Sequence, residues 1–201
     1  MKPYRILGAC SGWSALLTQY WLTTSRAGLL PGSITYFGFF TILGNFLVAL
    51  AFTAPLLPAP ARPAFFIRPG VRTATGVYIF VIAVVYYFLL RKLYHLTGLD
   101  WFVNVQLHDI NPPLYMLDWA LFVPKGALRY RQIACWLIFP LAYAGYVLLH
   151  GAFSGYYPYP FLNAATLGYP RVGLNIAGLA LLFAGTGAGF IAAGRHLPKA
   201  A

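Results

Sequence analysis

Acidic residues are almost missing from this chain. Three Asp and no Glu stand against fourteen Lys and Arg in 201 residues, and charged residues make up only 8% of the total. A soluble domain carries about 25% charged residues, so this composition excludes an ordinary water-facing surface. So few buried charges also leave little with which to couple ions, which weighs against a transporter. Cysteine is scarce too. Cys10 and Cys135 lie inside apolar runs without CxxC spacing, which excludes a disulfide scaffold or a zinc site. They read as buried small hydrophobes, and no metal or cofactor is expected. The net charge of +11 comes from basic residues scattered between apolar runs. That spacing fits membrane flanks that hold lipid headgroups rather than a nucleic-acid patch.

What the chain does have is hydrophobicity, 60% of its residues. Six runs, at about 5–24, 35–55, 73–91, 102–122, 131–149 and 171–193, are each long enough to cross a hydrocarbon core of about 30 Å. The expected fold is all-α, a polytopic bundle of six transmembrane helices forming one domain over 1–201. Lys2 and Arg5 before an apolar stretch resemble a signal peptide, but the run from Ile6 to Thr24 is long enough to span and reads as the first helix. Pro-rich and basic segments, such as PLLPAPARPAFFIRPG, separate the runs.

Counting Lys and Arg sets the orientation. One side holds Lys2, Arg5, Arg62, Arg68, Arg72, Lys125, Arg129, Arg131, Arg195 and Lys199; the other holds Arg26, Arg91, Lys92 and Arg171. The bias puts both termini in the cytoplasm of an integral membrane protein. Membrane lipids are the expected partners, and nothing in the pattern specifies an oligomeric state. The loop GYYPYPFL, from Gly155 to Leu162, is expected along the outer interface, where aromatic rings favour the headgroup layer.

In lipid the informative side chains are polar ones at depth. Thr41 and Asn45 lie one turn apart on one helical face. His108, Asp109, Asn111 and Asp118 share another apolar run. In the expected topology both runs enter from outside, and Thr41 and His108 each lie about six residues in, about 9 Å deep. A hydroxyl and an imidazole at one depth suit a nucleophile and its general base. The competing reading is a Thr bonded to its own backbone and a His that bridges helices. Pro112 and Pro113 remove helical partners from the carbonyls of His108 and Asp109, so a kink beside His108 is expected. Alternatively Asn111 caps a helix that begins at Pro112. Asp118 reads as a structural ion-pair partner.

His108, Pro113 and Asp118 on one apolar helix, Ser154-Gly155 through Tyr159-Pro160-Phe161-Leu162, and Thr41 within FFTILGNFLVAL form a pattern. It resembles the androgen-induced and androgen-dependent membrane proteins that hydrolyse fatty acid esters of hydroxy fatty acids, and their bacterial six-helix relatives. The resemblance covers roughly residues 35 to 193. It departs from the eukaryotic members at Asn104 and Val105, where they have a further His, and at Asp109, where they have Thr. The resemblance implies a lipid ester hydrolase in a bacterial inner (plasma) membrane that acts on fatty acyl esters without a metal. Thr41 and His108 would be catalytic, and Asn45, Asn111, Tyr159 and Phe161 substrate-binding. The alternatives are a non-catalytic lipid-binding or structural membrane protein and a haem-binding one that uses two of His95, His108 and His150.

Overall fold

The computed structural model describes residues 2–197, so Lys199 of the basic count lies outside the described residues. The chain is helical throughout, with no strand among the described residues. Ten helices follow in order: α1 Lys2–Ala27, α2 Leu29–Phe37, α3 Phe40–Thr53, α4 Ala64–Ile67, α5 Pro69–Val85, α6 Gly98–Val105, α7 Asn111–Phe122, α8 Gln132–Ser154, α9 Ala164–Leu167 and α10 Tyr169–His196. Each of the six apolar runs overlaps one of the longer helices, but among the described residues only three helical stretches are long and apolar enough to span on their own. These are Pro69–Leu93, Gln132–Ser154 and Tyr169–His196. The bent pair Leu29–Phe37 and Phe40–Leu56 makes a fourth if it counts as one span. The expectation of an all-α fold is met, and that of six transmembrane helices is met in part, by three stretches or four on length and composition.

The physical reason lies in a polar seam. Going down α1, Arg5 reaches Asp118, Ser11 reaches Asn111, Gln106 donates to Ser14, and Arg26 reaches Asp100. Every partner lies between residues 98 and 122, in reverse order. α1 and the segment 98–122 are thus antiparallel, and each turns a hydrogen-bonding face to the other. That face lowers the hydropathy of both segments, yet it is satisfied inside the protein, as a nonaqueous surrounding demands.

α5 forms the centre. In its most apolar stretch 61% of the residues are buried, against 28% for α8 and 17% for α10. α3, α7 and α10 pack around it. Small residues set the spacing on one side: a Cβ placed on Gly12 would meet Ala49, and one on Gly44 would run into Ile82, so α3 lies close to both α1 and α5. The outward faces are apolar, with Leu174, Leu181, Ile138 and Leu149 all exposed. Cys10 and Cys135 are exposed as well, contrary to their reading as buried hydrophobes; they sit on outward faces of α1 and α8.

Three local departures from straight helix shape the interior. The expected run at 35–55 is broken: α2 and α3 meet at an angle of 79°. Gly38 stands at the break, and Phe39 is extended. Two π-helical turns follow, Tyr86–Leu90 after α5 and Gln106–Ile110 between α6 and α7. Such turns are rare and cluster at functional sites. The one at Gln106–Ile110 takes the place of the kink expected from Pro112 and Pro113, which fit into the first turn of α7. Asn111 makes no capping bond there, so the capping alternative is set aside.

Candidate functional site

The break at Gly38 puts Thr41 in the first turn of α3. Amides there have no intrahelical partner, and the Thr41 N–H donates instead to the Tyr159 hydroxyl at 3.3 Å. The Thr41 hydroxyl faces two groups. His108 Nε2 lies 3.4 Å from Thr41 Oγ1, and Tyr159 Oη lies 3.4 Å from it. These distances are long for hydrogen bonds, as unliganded sites often show before substrate tightens them.

His108 is held on two sides. Its Nδ1 lies 3.0 Å from the Asn104 carbonyl. A carbonyl only accepts, so a hydrogen sits on Nδ1, and in the neutral form of the ring Nε2 is the acceptor that faces Thr41. The Tyr86 ring stacks on the imidazole, with centroids 3.8 Å apart and planes 20° from parallel. Asn104 in turn donates to the Tyr86 hydroxyl. The stacked pair comes from the two π turns, which face each other here. No carboxylate orients the imidazole: neighbouring Asp109 turns outward to Arg91 at 3.3 Å. The arrangement is a dyad with a carbonyl in the orienting role.

Behind Thr41 runs a chain of amides. Asn45 donates to the Thr41 carbonyl at 2.9 Å and to the Leu107 carbonyl at 3.3 Å. Asn111 donates to Asn45 Oδ1 at 2.9 Å and accepts from Ser11 at 2.7 Å. Both amides are fully buried and line neither cavity described below. Their bonds go to protein, and Asn45 and Asn111 brace the site from behind. They tie α1, α3, α7 and the π turn into one unit.

Tyr159 arrives from the loop expected at the interface. Part of the loop folds inward: Tyr159 and Leu162 are buried, and the Phe161 ring stacks on Tyr159 at 5.2 Å, while Gly155, Tyr156 and Pro160 stay exposed. Two cavities meet at Thr41 and Tyr159. One, of about 640 Å³ counted to its open mouth, lies among α3, α5, α8 and α10, and Phe161 is in its wall. The other, of about 810 Å³, holds His108, Gln19, Thr23, Asn104 and Asp100 in its wall. Asp100 of that wall pairs with Arg26 at 2.7 Å. His95 is exposed, and His150 accompanies Ser154 at the end of α8, so His108 is the one His in either cavity wall. No cluster of three metal-ligating side chains occurs among the described residues.

Sequence reasoning missed the helix start at Thr41, the two π turns and the hydroxyl of Tyr159 as a partner of Thr41. Gly38 ahead of two Phe was the available signal for the first.

A second polar cluster lies further along the same rod. Asp118, fully buried, takes Arg5 at 3.1 Å and Arg72 on its other oxygen. Tyr115 donates to the Arg72 carbonyl at 2.9 Å, and Trp119 to Thr73 at 3.0 Å. No protein-family model, curated protein or solved structure matches the chain.

Proposed function

We propose that the protein is a six-span integral membrane hydrolase of fatty acyl esters, with Thr41 as nucleophile and His108 as general base. The observation that carries this reading is the Nε2 of His108 facing Thr41 Oγ1 at 3.4 Å, with the other ring nitrogen anchored. The bent α2–α3 pair, and the antiparallel seam of α1 with 98–122, support counting those segments as spans. The apolar exterior supports a lipid surrounding.

The chemistry follows from the geometry. His108 Nε2 takes the Thr41 hydroxyl proton as Oγ1 attacks the ester carbonyl. The carbonyl's electron pair moves to its oxygen, and the Tyr159 O–H donates to that oxyanion. The first-turn position of Thr41 adds the positive end of the α3 dipole. Collapse breaks the bond to the alcohol oxygen, which takes the proton from the imidazolium and leaves an acyl-threonine. Water then gives its proton to Nε2 and attacks the acyl carbon. The acid departs as Oγ1 recovers the proton.

A second reading, a lipid-binding protein without catalysis, draws on the apolar cavity, which would hold an alkyl chain whether or not it reacts. Hydrolysis of a chromogenic fatty acyl ester by purified protein in nanodiscs separates the two. Turnover that falls to background in both Thr41→Ala and His108→Ala supports the hydrolase. Equal rates in all three proteins, or none in any, supports the binding protein. Reporter fusions at the C-terminus that read as periplasmic would count against the six-span topology.

A further inference from the structure

The two cavities that meet at Thr41 differ in chemistry, and the difference gives a bound ester a direction. The cavity among α3, α5, α8 and α10 offers almost no hydrogen bonding along its wall. Its polar side chains are Thr41, Tyr143 and Tyr159. Tyr143 is already committed to the Gly38 carbonyl at 2.8 Å, and the other two mark the reactive corner. A ligand that fills this space must be apolar except at that corner.

The cavity has the shape of a trough along α10. Ile176, Leu179, Ala180 and Phe183 line it, at spacings that put them on one helical face. Seven residues of helix extend it by about 10 Å. The facing wall is α8, with Pro140, Leu141 and Ala144. Leu141 is 44% exposed on the outside of the molecule, so the trough reaches the apolar exterior between α8 and α10. The small side chains Ala144 and Ala180 leave room there. His108, by contrast, borders only the other cavity, beside Gln19, Thr23 and Asp100.

We infer that the trough among α3, α5, α8 and α10 is an acyl-chain seat, entered sideways from the hydrocarbon between α8 and α10. The carbonyl end rests at Thr41 and Tyr159, and the tail runs along α10 toward Phe183. Ala180 sets the room for the tail and so acts as a specificity residue. The polar cavity is left for the alcohol and for water. The inference rests on the proposed hydrolase reading for its chemistry, but a chain can be seated without being cleaved.

The test uses a stearate that carries a diazirine in its alkyl tail, photolysed with the full-length protein in nanodiscs, and cross-linked peptides mapped by mass spectrometry. Wild type and Thr41→Ala are both expected to cross-link within α8 and α10, at residues 140–144 and 176–183. Ala180→Phe is expected to reduce those cross-links at least fivefold, and Ala180→Leu to a lesser degree. Ala180→Ser keeps them. Thermal unfolding identifies which variants are folded. Cross-links confined to other segments in wild type, or unchanged in both folded bulky variants, would overturn the acyl seat. Seating retained in Thr41→Ala together with absent esterase activity in wild type would uphold the seat and remove the hydrolase.

Discussion

Two polar clusters hang on one rod, the segment 98–122, ten residues apart from His108 to Asp118. They differ in how they treat their polar groups. At Asp118 two guanidiniums converge on one carboxylate that is fully buried, with Tyr115 and Trp119 bonding to α5 beside it. Neither of the two cavities described above has any of these residues in its wall. At His108 the groups are neutral, the bonds to Thr41 are long, and two cavities open on them. The first cluster is held by short-range ion pairing that ties α1, α5 and α7 together, with Arg72 Nε buried beside it and without a partner. The second keeps unspent hydrogen-bonding capacity beside empty space. On the proposed reading the contrast separates a structural tie from a site for chemistry, although both are polar groups in an apolar bundle.

The largest expected difference is between Asp118→Ala and Thr41→Ala. Removing the carboxylate leaves Arg5 and Arg72 buried without a counter-charge, and breaking such a pair costs about 3–5 kcal/mol. Thermal or denaturant unfolding in detergent should show that loss, whereas Thr41→Ala should move stability by no more than about 1 kcal/mol. Equal destabilisation by the two would erase the contrast. In activity the order reverses: His108→Ala is expected to lower ester turnover by about 10²–10⁴-fold, the range of a positioned acid–base group. Tyr159→Phe should lower kcat by about 10²-fold, as loss of one oxyanion donor does, with little change in KM. A change in KM alone would make Tyr159 a contact rather than a catalytic donor. Asn111→Leu strands Asn45 Oδ1 and the Ser11 hydroxyl, a loss of about 1–3 kcal/mol that should accompany a slower reaction, since both amides brace Thr41.

The smallest effect belongs to the Arg26–Asp100 pair. The Arg26 guanidinium holds the Asp100 carboxyl below its ordinary range. A carboxyl lowered on folding contributes stability above its unfolded pKa and loses it as pH falls through the lowered value. Exposed pairs contribute little, so Asp100→Asn should leave unfolding at neutral pH nearly unchanged while removing a small acid-side dependence. A large effect at neutral pH would make this pair a third structural tie.

Part of this layout was legible in the sequence. Against an apolar background Thr41, Asn45, His108, Asn111 and Asp118 stand out, and each makes a polar contact in the interior. Equal offsets from the expected starts near 35 and 102 put Thr41 and His108 at one level, and their side chains are 3.4 Å apart, although α3 begins at Phe40 and α6 at Gly98. Hydropathy failed where a segment spends its polar face on a neighbour: α1 and 98–122 each look too polar alone because they satisfy one another. The bend at Gly38 left no mark in hydropathy, since apolar residues continue through it. Composition places the loop of Tyr159 at the interface; the inward turn of that ring depends on packing against Phe39 and Tyr143, contacts distant in sequence. The π turns depend on the facing of Tyr86 and His108 and have no composition of their own.

The central claim is that Thr41 is a nucleophile activated by His108. Labelling with a fluorophosphonate, followed by peptide mapping, tests it most directly. The account expects phosphonylated Thr41 in wild type, no label in Thr41→Ala and strongly reduced label in His108→Ala, with Asp109→Asn labelled like wild type. Wild type that takes up no more label than Thr41→Ala, or a label that maps to another residue, would contradict it.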